Sequence, residues 1–571
     1  MLQIIIGNAI RIRGAATPLR AKVTADLTIP NPEYADKKAK NKPLWGVDKY
    51  LRMYTLQGND VIVPRGYLGD LLKMPGMQDA SQTAISVNLT FLPPADFGEW
   101  NPNYILRPDQ QEAVQALREA KNGILEAPAG SGKTLMGMRL IKELGQPALW
   151  LTHTKDLLYQ SRDAAQKLLA GVGKIGILGD GQSEWGDGKL FLATVQTLGD
   201  NPKLIDALSQ LVGNVIVDEA HHVPATSFLN VISQFAPFYM YGLTATPERK
   251  DKLEVYMYRG IGPIVHQIKR EGLYDSGRLI KPEIKFIFTN FDFEQAADRN
   301  DLCSVDAGGE DLDYRVLMDR LVADEARIEL IARNIIDNIL IKPNGKLQSQ
   351  FQLVLTESIR YCYKLRDKIT DIFQREMIAY PPRIAMVHGP ISRYKWIVGG
   401  TEKNARQLVA AGEALECRRN DRLKRWEVKM EQYSESEFKN WQISNTERKQ
   451  RIEDCRKGQV DLLFATAQLV QEGLDLPNLS CGHLAMPKRG DSASSKNGAA
   501  VEQAIGRIMR PDPANPNKRA TWFDYVDYNV GVFKSQYYSR RSVYKRLGLK
   551  VPGKPHSEIE DMDKFLGSMS W

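Results

Sequence analysis

A short glycine-rich stretch carries the clearest chemical signal in this sequence. It reads Ala-Pro-Ala-Gly-Ser-Gly-Lys-Thr from Ala127 to Thr134. The neighbouring residues predict a strand immediately before it, at 123–126, and a helix immediately after it, at 134–144. Backbone N–H groups in such a turn, together with the positive end of the helix dipole, form a concave site for phosphate groups. We therefore predict a loop that binds a nucleoside triphosphate.

The side chains of this loop have separate expected roles. Lys133 would place its ammonium group at the β- and γ-phosphates, and the Thr134 hydroxyl would hold a magnesium ion. The residues whose backbone would surround the phosphates are Ala129, Gly130, Ser131 and Gly132.

Two adjacent carboxylates, Asp218 and Glu219, follow the apolar run at 215–217. Asp218 would bind the magnesium ion directly or through water, and Glu219 would orient and deprotonate the attacking water. An acidic pair alone is weak evidence. Polar residues, however, also follow the apolar runs at 148–151, 190–193 and 240–243. Ligands bind at the carboxyl ends of parallel strands, so these positions point to one shared site.

Two arginines near the carboxyl terminus, Arg507 and Arg510, are three residues apart and would share one face of a helix. Arginines placed in this way can neutralise charge on a γ-phosphoryl group during transfer. The alternative is that both are ordinary surface residues.

The composition indicates an ordinary globular protein, with 43% hydrophobic and 26% charged residues. No apolar run of about 18 residues and no secretion signal is present, so we expect a cytoplasmic protein without a membrane partner. The five cysteines contain no C-x-x-C pair, which argues against zinc, an iron–sulfur cluster or a disulfide framework. Residues 1–90 carry 12 Lys and Arg against 7 Asp and Glu, which is consistent with a polyanionic partner but does not establish one.

Alternating strand and helix patterns occur twice, and they predict an α/β chain with two domains built on parallel sheets. The predicted divisions are an N-terminal α+β domain at 1–95, a first α/β domain at 96–290, an acidic connector at 291–316, a second α/β domain at 317–530 with a helical insertion at 391–447, and a basic and aromatic extension at 531–571.

The N-terminal domain is predicted to contain a strand at 22–29 and an exposed basic loop at 30–43. Two functions remain open for it, docking of DNA or packing that only supports its neighbour.

Two further segments are open to more than one interpretation. Helical periodicity in the insertion suggests a helical hairpin or a coiled arm. It contains a basic cluster, which we favour as a solvated charged face. Another long helix is predicted at 314–340. The basic and aromatic stretch from Lys534 to Lys554 could contact nucleic acid. We favour an amphipathic helix that packs its aromatic side chains.

The ordered set of motifs over about 105–530 resembles the superfamily 2 helicases and translocases. This resemblance implies two tandem RecA-like domains, with parallel sheets and helices on both faces, that bind ATP and Mg²⁺. Residues Ala127–Thr134 fit the family form A-x-x-G-x-G-K-T. Leu106–Gln110 resembles the adenine-recognition segment, which implies that Gln110 bonds the adenine edge and Arg107 lies against the base. Many relatives have an aromatic residue where Asp109 stands.

Other motifs carry the resemblance further along the chain. Asp218–His221 is similar to the DEAH box, Thr244–Pro247 to the motif that couples hydrolysis to strand movement, and Gln471–Pro477 to a motif that touches both DNA and nucleotide. Gln503–Arg510 resembles the arginine-finger motif, although many relatives have glycine where Met509 stands.

The resemblance also implies roles for individual residues. Gly473 and Asp475 would contact the nucleotide, and Gln503 would act with Arg507 and Arg510. The residues expected to contact nucleic acid are Thr152, His153, Thr194, Gln196, Thr244, Thr246 and Gln471.

Within the superfamily, the layout is most similar to phage UvsW-type branch-migration helicases and to XPB- and RecG-like relatives. This implies an ATP-dependent DNA helicase or translocase that acts on forked or branched duplexes during replication, recombination or repair. We expect a monomer in a bacterial or phage-infected cell, with possible replication or recombination partners. The alternatives are a duplex translocase that does not separate strands, and an ATP-switched clamp. The short segment after Arg510 disfavours an RNA helicase with long accessory domains.

Overall fold

The computed structural model describes residues 2–39, 43–75, 83–220, 225–245, 253–292, 314–339, 350–378, 381–398, 402–412, 414–420, 425–466, 476–488 and 500–553. The chain divides into two compact units. The first contains 1–281, 489–511 and 538–551, and the second contains 282–488, 512–537 and 552–571. Among the described helices, none is long and apolar enough to cross a membrane.

The first unit begins with a small α+β region. Its elements are β1 (Leu2–Ile6), β2 (Ala9–Arg13), α1 (Thr17–Asp26), β3 (Thr28–Pro30), α2 (Pro32–Ala39), β4 (Tyr50–Arg52), β5 (Thr55–Gln57), β6 (Asp60–Pro64), α3 (Leu68–Leu72) and β7 (Thr83–Val87). The sheet order is β5-β6-β2-β1-β7, and β3 pairs separately with β4. Alternate residues of the central strands, such as Ile4, Ile10 and Val61, are buried in its core.

Two predictions for this region are wrong. The predicted strand at 22–29 is mostly helix α1, followed by the short strand β3. Val23 and Leu27 are buried four residues apart, which is the spacing of a helix face rather than of a strand. The predicted loop at 30–43 contains helix α2. The Asn31 side chain accepts a hydrogen bond from the backbone N–H of Glu33, and Pro32 occupies the first helical position, where its missing N–H is harmless.

A larger α/β region completes the first unit up to residue 281. Its elements are α4 (Pro108–Ala120), β8 (Asn122–Glu126), α5 (Lys133–Leu144), β9 (Ala148–Thr152), α6 (Lys155–Leu168), β10 (Gly176–Gly179), β11 (Gln182–Glu184), β12 (Leu190–Thr194), α7 (Val195–Gly199), α8 (Pro202–Ser209), β13 (Asn214–Asp218), α9 (Ala225–Ile232), β14 (Tyr239–Thr244), α10 (Glu254–Gly260), β15 (Ile264–Gln267) and α11 (Arg270–Asp275).

These strands form a sheet in the order β11-β10-β12-β9-β13-β14-β8-β15, parallel except for β11 at the edge. Helices cover both faces. Leu149 and Leu151 of β9 belong to the core on the side of α7, α8 and α9. The intervening Trp150 points to the other side, where its indole ring fills the space beside Gly137 of α5. The predicted parallel sheet with helices on both faces is confirmed.

The second unit contains a second parallel sheet. Its elements are β16 (Glu283–Phe288), α12 (Tyr314–Ala323), α13 (Glu325–Ile339), β17 (Gln352–Thr356), α14 (Ile359–Arg375), β18 (Ile384–Val387), β19 (Tyr394–Val398), α15 (Glu402–Ala410), β20 (Glu416–Asn420), β21 (Arg425–Glu431), α16 (Glu435–Trp441), α17 (Asn445–Arg456), β22 (Leu462–Thr466), β23 (Cys481–Leu484) and β24 (Thr521–Val526). Helix α18 (Ala500–Ile508), which precedes β24 in the chain, belongs to the first unit. The parallel order is β16-β24-β23-β17-β22-β18.

The insertion at 391–447 differs from its prediction. Strands β19, β21 and β20 form an antiparallel sheet, with α15 packed on one face and α16 following it. The predicted helical hairpin is therefore wrong. Trp426 and Met430 are four residues apart, as on a helix, but Val428 between them is buried on the same face. This period of two is that of a strand.

The predicted helix at 314–340 is two helices, α12 and α13. They are separated at Asp324, whose carboxylate accepts a hydrogen bond from the N–H of Arg327 and so begins a new helix. The carboxyl-terminal helix α19 (Gly531–Arg546) buries Phe533, Tyr537 and Tyr544, which agrees with the packing interpretation that we favoured.

The compact units depart from the predicted domain boundaries at three places. Strand β16 pairs with β24 of the second sheet, whereas the predicted boundary at 290 assigned it to the first domain. Residues 489–511 belong to the first unit, whereas we assigned them to the second domain. The extension predicted at 531–571 is divided, because residues 538–551 belong to the first unit and its other residues to the second. The remaining boundaries stay predictions.

Candidate nucleotide-binding site

The phosphate loop connects β8 to α5, as the sequence predicts. Gly130 and Gly132 have φ angles of +84° and +90°, in a region that residues other than glycine rarely adopt. A Cβ atom at Gly132 would also lie 2.5 Å from Nε2 of Gln110. The N–H of Ala127 donates to the carbonyl of Thr244 at 2.8 Å, which ties the start of the loop to the end of β14. The loop is thus a fixed concave backbone.

The chemistry of the loop fits a bound phosphate. The Ser131 hydroxyl is buried, and it has no hydrogen-bond partner among the described residues. A buried polar atom without a partner is costly, so a ligand oxygen would stabilise this position. The loop lies at the amino end of α5, and Lys133 adds a buried ammonium group. Both features favour an anion.

The acidic pair lies beside the loop lysine. Lys133 Nζ donates to the carbonyl of Ala127 at 3.2 Å and is 3.3 Å from Oε1 of Glu219. Asp218 ends β13 and is buried, with Oδ1 accepting a hydrogen bond from the N–H of Glu219 at 3.0 Å. The structure therefore brings Lys133, Asp218 and Glu219 together, as predicted.

Burial, and after it the negative charge of Glu219, raise the pKa of Asp218 to about 7, while the charge of Lys133 opposes the shift. A buried carboxylate of this kind is stabilised in its charged form by a cation, so Asp218 suits a magnesium ion. Glu219 has a φ of +46°, which is unusual for a residue with a side chain. Strained backbone of this kind clusters at functional sites.

The predicted adenine-recognition residues support the phosphate loop directly. The carbonyl of Ser131 accepts hydrogen bonds from Gln110 Nε2 at 2.7 Å and from Arg107 Nη2 at 3.1 Å. Gln110 Oε1 accepts from the N–H of Arg107, and the Arg107 guanidinium pairs with both oxygens of Asp109. Their predicted contact with adenine stays untested, but their part in holding the loop is visible.

The helix with the predicted arginine-finger motif, α18, packs on the phosphate loop within the first unit. A Cβ atom at Gly506 would lie 3.5 Å from Cβ of Ala129. Gln503, Arg507 and Arg510 are half-buried. The structure thus places this helix at the loop, while the catalytic role of its side chains stays a prediction.

An ion-pair network anchors α18, and sequence reasoning missed it. Glu502 Oε1 is 2.8 Å from Arg270 Nη2, and its other oxygen is 3.3 Å from Arg546 Nη2. The carbonyl of Met509 accepts a hydrogen bond from the N–H of Ile280 at 2.7 Å. Arg270 is 232 residues from Glu502, so no local pattern could have indicated the pair.

The residues predicted to contact nucleic acid divide into three groups. The side chains of Thr152 and Thr194 are buried, and each bonds within its own strand end, to the carbonyl of Thr154 and to the N–H of Thr197. His153 is half-buried, Gln196 is exposed and Thr244 is buried. Thr246 and Gln471 lie outside the described residues, and so do Gly473 and Asp475, which we expect to contact the nucleotide. The nucleic-acid roles stay predictions.

Fold and loop together define a nucleotide-binding protein with RecA-like sheets. The family model for the res subunit of type III restriction enzymes matches residues 103–249, and that for the helicase conserved C-terminal domain matches 415–512. These matches support the predicted resemblance to superfamily 2 helicases of the XPB type.

Similar relatives match part of the chain. The DNA 3'-5' translocase XPB2 of Sulfurisphaera tokodaii is 33% identical over 33% of this chain and 42% of its own length. The probable helicase D10 of Escherichia phage T5 is 33% identical over 23% of this chain and 28% of its own. The chain therefore spans less than half the length of these relatives.

Solved structures are also similar. UvsW of phage T4 matches with a TM-score of 0.36 and 14% identity, covering 96% of this chain and 97% of that one. The restriction-modification enzyme LlaBIII bound to DNA matches with a TM-score of 0.49 and 15% identity, covering 81% of this chain and 32% of that one. Likenesses of this size carry no functional argument.

Proposed function

We propose that this protein is an ATP-dependent DNA helicase or translocase that acts on forked or branched duplex DNA. The observation that carries the ATPase part is the 3.3 Å approach of Lys133 Nζ to Glu219 Oε1, which joins the phosphate loop to the acidic pair. The DNA part rests on the family and on relatives whose names specify DNA.

The loop residues would bind and orient the triphosphate. Backbone N–H groups at 129–134 and the Lys133 ammonium group would stabilise its negative charge. Thr134 and Asp218 would hold Mg²⁺, which neutralises charge on the phosphates. Glu219 would accept a proton from the attacking water at its carboxylate oxygen.

The arginine-finger helix would complete the site. Because α18 lies against Ala129, Arg507 and Arg510 are carried by an element that already contacts the loop. Their guanidinium groups would stabilise the charge that develops during phosphoryl transfer, with Gln503 placing the water. Cycles of binding and hydrolysis would then drive movement along DNA, where replication, recombination or repair produces forks.

The first test is ATP turnover by the purified protein. It would be measured without nucleic acid and with single-stranded DNA, linear duplex, forked DNA, a four-way junction and RNA. Lys133→Ala and Glu219→Gln should abolish turnover while DNA binding remains measurable. Glu112→Gln, the same chemical change at an exposed site of α4, is the matched control. Wild-type turnover in Glu219→Gln would refute the role of that carboxylate.

A second candidate is a duplex translocase that does not separate strands, which the name of the XPB2 relative favours. Strand displacement measured beside triplex displacement distinguishes the two. A helicase passes both assays, a pure duplex translocase passes only the second, and an ATP-switched clamp fails both. Stimulation by RNA alone would contradict the DNA assignment.

A further inference from the structure

A buried leucine packs directly on the phosphate loop. Leu279 lies shortly after α11 in the chain and is only 3% exposed. A Cβ atom placed at Gly130 would lie 3.2 Å from Cδ2 of Leu279, which is closer than ordinary van der Waals contact. Gly130 is one of the residues expected to surround the phosphates. Leu279 therefore lies against the backbone of the nucleotide site.

The segment that carries Leu279 is held in one conformation, and we call its residues 276–280 the α11 turn. Gly277 has a φ of +66°, and its N–H donates to the carbonyl of Tyr274 at 3.0 Å. The N–H groups of Arg278 and Leu279 both donate to the carbonyl of Leu273, at 2.8 and 3.0 Å. These bonds form a left-handed cap at the end of α11, so the backbone of the turn is fixed.

The α11 turn also holds α18. The N–H of Ile280 donates to the carbonyl of Met509 at 2.7 Å, directly after the last residue of α18. Arg270, the first residue of α11, pairs with Glu502 of α18. The α11 turn therefore contacts the phosphate loop through the Leu279 side chain and contacts α18 through its backbone.

The end of α19 supports α11 in turn. The Tyr274 hydroxyl donates to the carbonyl of Leu547 at 2.8 Å, and this bond is buried. A Cβ atom at Gly548 would lie 3.8 Å from Cε2 of the Tyr274 ring. All of these residues belong to the first unit. Several elements thus hold the α11 turn in place, so it provides a firm base for Leu279.

The direct contact between α18 and the phosphate loop is small by comparison. It joins Gly506 and Ala129, where a Cβ atom at the glycine would lie 3.5 Å from Cβ of the alanine. Dispersion energy grows with the number of atom pairs in contact, and two residues of this size offer few. A buried leucine makes many more contacts, and removing it leaves a cavity that costs free energy. Leu279 is therefore better suited to fix the separation between the two elements.

We propose that Leu279 is a positioning residue for ATP hydrolysis. By holding the phosphate loop and α18 at a fixed separation, it places the Arg507 guanidinium for the charge that develops on the phosphoryl group. Placement matters because an error of about 1 Å can lower a rate about a hundredfold. This inference rests on the proposed function, because it assigns a further residue to the same ATP site.

The proposal predicts a specific change in the kinetics. Backbone N–H groups and Lys133 would bind ATP in the ground state, whereas Arg507 would act in the transition state. Leu279→Ala should therefore lower kcat about tenfold and change KM less than about twofold. Leu279→Met, which keeps the volume of the side chain, should retain most of kcat. Leu279→Val should lower kcat about threefold, and it takes the place of Leu279→Ala if that variant does not fold.

Leu208→Ala is the matched control, because it makes the same change in a part of the core away from the phosphate loop. Leu208 is fully buried on the side of the sheet covered by α7, α8 and α9. Thermal unfolding would set an assay temperature at which both variants are folded. Titration with a fluorescent ADP analogue would give the number of nucleotide sites per chain. Per site, Leu208→Ala should keep the kcat of the wild type.

A double variant tests whether Leu279 acts through Arg507. If it does, adding Leu279→Ala to the Arg507→Ala variant should lower the rate less than about twofold. Radiolabelled ATP in single-turnover reactions would keep this slow hydrolysis measurable. A larger loss in the Arg507→Ala background would refute the inference, because Leu279 would then act independently of the arginine.

The outcomes separate this inference from the proposed function. If the wild type hydrolyses ATP and Leu279→Ala has the same kcat, the positioning role is refuted and the ATPase assignment stands. A rise in KM at unchanged kcat would also refute it, because Leu279 would then serve binding in the ground state. If the wild type does not hydrolyse ATP, both proposals fail.

Discussion

The ion pairs of Glu502 provide a sharp test of how α18 contributes to ATP turnover. Glu502→Gln removes the negative charge but keeps the size of the side chain. The side chains of Glu502 and Arg270 are 6% and 13% exposed and lie 2.8 Å apart. A hydrogen bond to a charged group in such a setting contributes about 1.5–3 kcal/mol. The Arg546 side chain is 43% exposed, so solvent screening leaves its pair less than about 1 kcal/mol.

Glutamine would keep a neutral hydrogen bond to Arg270. We therefore expect a net loss of about 1–2 kcal/mol in the free energy that holds α18 against the phosphate loop. Since about 1.4 kcal/mol corresponds to a factor of ten, kcat/KM for ATP should fall about 5- to 30-fold. The fall follows because Arg507 is positioned by this helix.

The assay is steady-state ATP hydrolysis at saturating DNA, with Glu112→Gln again as the matched exposed control. Arg270→Gln should cause a similar loss, and the double variant should lose little more than either single variant, because both changes break the same pair. A wild-type kcat/KM in Glu502→Gln would refute the reasoning. Simple addition of the two losses would also refute it, since the residues would then act independently.

Three further predictions follow from other contacts. Gly132→Ala should raise KM for ATP at least about tenfold, because the φ of Gly132 is +90° and Gln110 Nε2 leaves no room for a Cβ atom. Gly458→Ala is the control: Gly458 also has a positive φ but has open surroundings, so this change should leave KM for ATP unchanged. Because the pKa of Asp218 is raised to about 7, ATP turnover at low Mg²⁺ should fall as the pH drops below about 7. A higher Mg²⁺ concentration should lower the midpoint of this pH–rate profile, since the proton and the cation compete for the carboxylate. A midpoint that does not change with Mg²⁺ would contradict the assignment of Asp218. Burial lowers the pKa of His483 to about 3, so at intermediate pH the unfolded chain binds a proton that the folded state does not. The free energy of unfolding should therefore decrease as the pH falls from about 6.5 towards 3, by up to about 5 kcal/mol. Urea midpoints at pH 7 and pH 5 should differ less in His483→Gln than in the wild type.

Local patterns were sufficient for the phosphate loop and the strands that surround it. A glycine-rich turn with a lysine, placed between a strand and a helix, is typical of a loop that binds a triphosphate, so residues 127–134 could be assigned from their order alone. The apolar runs that end in Thr152, Thr194 and Asp218 are strands buried on both faces, a pattern that is typical of central strands in a parallel sheet.

Local patterns failed where two periodicities overlap. In β21, Trp426 and Met430 fit a helix as well as a strand, and only pairing with β19 and β20 selects the strand. In α1, an apolar stretch that could be a strand becomes a helix, because Val23 and Leu27 must both reach the core of the N-terminal sheet. Secondary-structure preference is weak in such stretches, and tertiary burial decides the outcome.

The phosphate loop, the acidic pair and the two parallel sheets could be predicted from the sequence, because each depends on residues close together in the chain. The long-range contacts could not: Gln110 donates to the carbonyl of Ser131, Lys133 lies beside Glu219, and Glu502 pairs with Arg270 and so holds α18 at the loop. Those contacts join residues about 20 to 230 positions apart. Their energies depend on burial and distance, which exist only once the chain has folded.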